Sequence, residues 1–134
     1  MDKRVLTLDD VRRIAAAAEA EALRNHWPVV IAIVDDGGHL MYLQREWNVQ
    51  FGSVEVAIGK ARVAAAFKRP TKAWEEKLAE NRPGYLTMPG LVALEGGVPL
   101  VAEGQVIGGI GVSGVKSSED AQIARAGAGV IEPS

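Results

Sequence analysis

The chain has 134 residues, 48% hydrophobic and 24% charged, the composition of one globular domain spanning 1–134, with enough length for a core and too little for two. Fifteen basic against seventeen acidic residues leave a net charge of −2, which gives no footing for nucleic acid. The absence of cysteine excludes disulfides, thiolate metal sites and a cysteine nucleophile.

The N-terminal residues lack the apolar core of a signal peptide, and no run reaches membrane-spanning length, so the expected location is the cytoplasm, with no membrane partner. Thr7 is a candidate N-cap, followed by Asp9 and Asp10 where the helix dipole favours negative charge. Val11, Ile14, Ala15, Ala18 and Ala22 recur at helical spacing and predict a helix from about Leu8 to Asn25, ended by Trp27-Pro28. Val29 to Val34 is almost entirely β-branched and predicts a strand buried on both faces. Asp35-Asp36-Gly37-Gly38 has hairpin chemistry, and Asp35 is expected to cap amides in the turn. His39 to Glu46 returns as the second strand. Alternation places His39, Met41, Leu43 and Arg45 on one face and Leu40, Tyr42, Gln44 and Glu46 on the other.

Ser53 is the expected cap of a second helix reaching about Lys68. Its inner face is apolar except for Lys60, which has two readings of equal weight. The lysine stem snorkels to the surface, or the ammonium sits in a pocket as an anion ligand or a base. Thr71 is expected to cap a third helix through about Glu80, with Trp74 and Leu78 facing the core. Residues 81–97 hold no period; they form a long irregular segment with an expected turn of helix near Leu91 to Leu94 and with Tyr85, Thr87 and Met88 at its apex. The favoured reading of those three is a plug for the core edge. Val98 to Glu103 and Gln105 to Ser113 form a second hairpin, and Ser117 or Ser118 caps a last helix to about Ala128. The order gives an α+β domain, an antiparallel β-sheet with helices packed on it.

Glycine takes four of the ten positions in Gln105–Gly114, an otherwise apolar strand. Glycine in a strand marks the close approach of another backbone or a ligand. Gly109-Ile-Gly-Val-Ser-Gly114 spells G-x-G-x-x-G, yet no helix opens inside the motif and no second parallel strand follows, so a dinucleotide site is rejected. There is no G-x-S-x-G elbow, no Walker loop and no H-E-x-x-H; His26 and His39 lie far apart in sequence.

Val34-Asp35-Asp36-Gly37-Gly38-His39-Leu40, Arg45, Lys60-Ala61, Pro70-Thr71, Gly96-Gly97-Val98-Pro99, Val106 to Gly114 and Asp120, in that order and spacing, resemble the GlcG/HbpS-like family. The resemblance implies a profilin-like layered domain assembled as a homo-oligomer. It also implies the activities met in that family: haem binding or degradation, association with corrinoid adenosyltransferases, and hydroxylaminobenzoate lyase activity in aromatic catabolism. Glu46-Trp47-Asn48-Val49-Gln50 departs from the family's Met-Asp-Gly-Ala-like turn.

Three functions are weighed. A binding module for haem or another flat anionic cofactor would use Arg45, Lys60, Thr71, Gly96 and Gly97 for carboxylates, with Gly109 and Gly111 admitting the macrocycle. His39 is the first choice of iron ligand there, with His26, Tyr85 and Met88 as further candidates. A cofactor-free enzyme would bind a small carboxylated aromatic or hydroxy acid through Arg45 or Lys60, stack it on Trp47, and move protons with Glu46, Tyr85 or Lys60. An accessory oligomer would have no chemistry of its own.

Overall fold

The apolar side chains of Val30–Asp35 (β1) are buried on both faces, because this strand lies inside the sheet and helices cover the sheet on both sides. Leu40–Arg45 (β2), Gly97–Ala102 (β3) and Gln105–Ser113 (β4) complete an antiparallel sheet in the order β2-β1-β4-β3. The structure, a computed structural model, describes residues 3–131; residues 1–2 and 132–134 of the expected domain lie outside them. Four helices surround the sheet: Leu8–Arg24 (α1), Gly52–Phe67 (α2), Lys72–Ala79 (α3) and Ser117–Ala128 (α4). The layered α+β arrangement is the one expected.

Ile31 and Ile33 of β1 join Ile110 and Val112 of β4 against α1 and α4, which supply Val11, Ile14, Ala18, Ile123 and Ala124. Val30, Ala32 and Val34, on the opposite face, meet Ala57, Ala61 and Ala65 of α2. Thr7 caps α1 in a reciprocal box with Asp10. Burial pushes the Asp10 carboxyl up, but the Thr7 bonds and the charges of Arg13 and Arg4 more than offset it and hold it below the usual carboxylate value. Asp35 Oδ1 accepts the amides of Gly37 and His39, both at 2.9 Å, so its turn-capping role holds.

The α2 side of β4 carries Gly109 and Gly111, and Gly97 of β3 pairs with Gly111. A Cβ at Gly109 would overlap the Ala61 carbonyl oxygen, one at Gly111 that of Ala57, and one at Gly97 that of Lys60. The face expected to admit a flat ligand is therefore filled by the backbone of α2. This corrects Gly109 and Gly111 from ligand contacts to helix-packing positions.

Five local expectations also change. α4 begins at Ser117 with Lys116 in the cap position, so neither Ser117 nor Ser118 caps it. α2 starts at Gly52 with no side-chain cap, so Ser53 is a buried helical residue. Thr71 does not cap α3, because its hydroxyl is committed to Gly97. The helical turn of the irregular segment is a 3₁₀ turn at Pro83–Thr87, where proline opens it, and not at Leu91 to Leu94. The register between β1 and β2 shifts between Ile33 and Val34, so the alternation of β2 breaks at Met41, and Met41 and Tyr42 both pack on the α1 side.

Gly111→Ala should destabilise the fold by about 3 kcal/mol or more, since backbone and not a flexible side chain stands in the way. Gly52→Ala, with open space around it, should instead gain up to about 1 kcal/mol. Urea unfolding of the two variants checks the contrast; equal effects would mean that α2 does not rest on the glycines.

Candidate functional site

The three glycines let α2 lie so low that its one inward lysine cannot reach solvent. Lys60 is 2% exposed; its Nζ donates to the Val112 carbonyl at 2.9 Å and to Asp120 Oδ2 at 3.3 Å. Asp120 Oδ1 accepts the Val115 amide at 3.1 Å. Burial pushes the Asp120 carboxyl up, while the Lys60 ammonium and the Val115 amide act to lower it. Lys60 thus follows neither sequence reading: it is half of an internal ion pair joining α2, β4 and α4. A Cβ at Gly96 would fall 2.6 Å from this Nζ. Thr71, fully buried, accepts the Gly97 amide at 2.8 Å on its hydroxyl and donates its own amide to the Gly97 carbonyl at 3.0 Å. Lys60, Thr71, Gly96 and Gly97 are brought together, but their polar groups are taken up within the fold: Thr71 and Gly97 bond each other, Lys60 is held by Val112 and Asp120, and the Gly96 carbonyl accepts the Val112 amide.

The other expected residues disperse. Arg45, on the α2 side of β2, donates from Nη1 to the Trp47 and Val49 carbonyls and so fastens the loop after the strand. Glu46 lies on the α1 side, beside Leu23 and Trp27. Tyr85, half-buried, packs edge-on against Trp74 at 5.5 Å, with Arg82 and Lys77 over its ring, whereas Thr87 is exposed, donates to the Gly84 carbonyl and plugs nothing. Glu46, Lys60 and Tyr85 form no common catalytic centre. His39 is exposed, and its Nδ1 is 3.1 Å from Asp35 Oδ1 in the first hairpin. No group of three metal-ligating side chains forms among the described residues.

A cleft that the sequence reading did not single out opens where α1 ends. Asn25 closes the helix, the Trp27 amide donates to Ala22 and the His26 amide to Leu23. This is a Schellman ending, with His26 at φ 57° in the left-handed position where glycine is usual. The turn places His26, Trp27 and Pro28 opposite Glu46, Trp47 and Asn48 across a cleft of about 280 Å³. A recess of about 110 Å³ continues along α1 past Ile31 and Gln44. Trp47 is 80% exposed, an aromatic face open to a ligand. Pro28 alone accounted for the helix end in the sequence. The available signal was a non-glycine residue standing just ahead of the Trp-Pro pair.

Residues 6–129 match the family described as haem degrading protein HbpS-like. Protein GlcG of Escherichia coli K12 is 43% identical over 111 residues, 83% of each chain. A solved double mutant of Streptomyces reticuli HbpS superposes with a TM-score of 0.89 at 33% identity, covering 98% of this chain and 90% of that one. A PduOC:heme complex superposes with a TM-score of 0.86 at 28% identity, covering 96% of both.

Breaking the buried pair from either side should cost about 3–5 kcal/mol, since Lys60→Met strands a carboxylate and Asp120→Asn strands an ammonium. The double variant should lose much less than the sum. Denaturant curves of the four proteins test this, and strictly additive losses would show that the two charges do not depend on each other.

Proposed function

The chain belongs to the HbpS-like family, and from that premise we propose that it binds haem in the cleft at the end of α1, with His26 as the iron ligand. The observation that carries this reading is His26 itself. A left-handed backbone costs a side-chain-bearing residue about 1–2 kcal/mol, and glycine would avoid it. Lys68, Asn81 and Glu103 adopt the same backbone; at His26 it stands at a cleft that also holds Trp27 and Trp47, and that combination supports a functional role for the side chain. Haem supplies an iron that takes an imidazole ligand. Within the cleft, His26 presents the nitrogen, Trp27 and Trp47 offer ring faces, and Leu23 and Pro28 keep water from one side of the macrocycle. At about 280 Å³ the cleft would take an edge of a tetrapyrrole. His39 stands in the first hairpin and does not line this cleft; with Nδ1 on Asp35 its Nε2 is left free, so it is the alternative iron ligand.

Glu46 and Trp47 share the cleft, which favours one second reading: proton transfer by Glu46 on a small aromatic ligand stacked on Trp47. Lys60 and Tyr85 lie outside the cleft and have no part in it. We also propose that the protein self-associates through the outer edge of β2. Leu40 and Leu43 of β2 are 44% and 41% exposed, Phe51 just before α2 is 84% exposed, and an open strand edge invites pairing.

Titration with haemin should give a saturable Soret band. His26→Gly should abolish its ligand-dependent shift while raising unfolding stability by about 1 kcal/mol, and His39→Ala should leave both unchanged. A band lost in His39→Ala and kept in His26→Gly would overturn the assignment. Separately, Leu43→Glu with Phe51→Glu should lower the mass seen by light scattering; a mass unchanged from the parent removes this edge as the contact.

A further inference from the structure

Lys72, the first residue of α3, and Arg125 of α4 line a second cleft, of about 180 Å³, on the opposite side of the sheet from β2. Gly96, Gly97, Val98 and Ala121 complete its walls, which are largely apolar. The two cations therefore contribute their methylene stems to the wall and carry their charges at its mouth. Neither has an ion-pair partner among the described residues, whereas Arg4, Arg13, Arg24 and Lys60 all do. Lys72 also stands at the positive end of the α3 dipole, where a cation is disfavoured unless an anion is near. Glu95 is the one acid at this cleft, so the excess is a single positive charge. An apolar cavity of about 150 Å³ is enough for benzene, so the space suits a body of that size and excludes a tetrapyrrole.

We propose that this cleft is a binding site for a small monocarboxylate with a compact apolar body. Arg125 and Lys72 take the carboxylate, the guanidinium by paired N–H bonds, and the body lies against Val98 and Ala121. The Lys60–Asp120 pair below Gly96 keeps the floor rigid without offering a free charge of its own. The site is independent of the cleft at His26.

Benzoate is the probe, read by amide chemical shifts of the full chain. Saturable shifts are expected at Gly96 and Gly97, with benzamide, its neutral counterpart, binding about tenfold or more weakly. K72Q/R125Q should weaken benzoate by about tenfold or more and leave the haemin titration as in the parent; both side chains are exposed, so the fold is not at risk. Equal binding of benzamide, an undiminished benzoate affinity in K72Q/R125Q, or shifts centred on His26 and Trp47 would each overturn the proposal. Loss of haemin binding in His26→Gly with benzoate unaffected would separate the two sites.

Discussion

The contact on which this structure depends is backbone against backbone, where α2 crosses β3 and β4 at Gly97, Gly109 and Gly111. Three missing side chains bring the helix carbonyls of Ala57, Lys60 and Ala61 down onto the strands. At that depth a lysine has no route to water, so Lys60 must find its partners inside. It finds the Val112 carbonyl and Asp120. Two charges buried together gain little over an apolar pair, but either alone is costly. The pair thereby specifies one seating of α2 relative to α4.

This constraint moves ligand chemistry to the margins. The residues most conspicuous in the sequence, the glycine strand and the inward lysine, are used up in packing. Among the described residues, two clefts at the edges of the sheet combine space with chemistry for a ligand. One lies between the end of α1 and the loop after β2, and the other between the start of α3 and α4. The first has the exposed ring of Trp47 and an imidazole on a left-handed backbone; the second has apolar walls and two cations without an ion-pair partner among the described residues. Their chemistries differ.

Local rules carried far where the physics is local. β1 is apolar on both faces and is buried on both; Thr7 and Asp10 close the box that their spacing spells; Asp35 caps its turn. The register shift in β2 was not legible, because alternation assumes an unbroken ladder. Nor was the Schellman ending at His26, since histidine does not advertise the left-handed conformation as glycine does. Thr71 and Ser53 looked like caps because short hydroxyl residues before a helix usually are; Thr71 has a distant amide to bind instead.

From the sequence alone follow the α+β class, the strand and helix order, the hairpins and the family, since each rests on periodicity, turn chemistry or ordered landmarks along the chain. The glycine strand announced a close approach without saying what approaches, and Lys60 stood out on an apolar face without showing whether its charge is buried or reaches the surface. Only the tertiary structure decided both. Ala57 and Ala61 lie about fifty residues from the glycines they cover, and Asp120 lies sixty residues from Lys60. Contacts at that separation are set by how the layers stack, which no local pattern encodes.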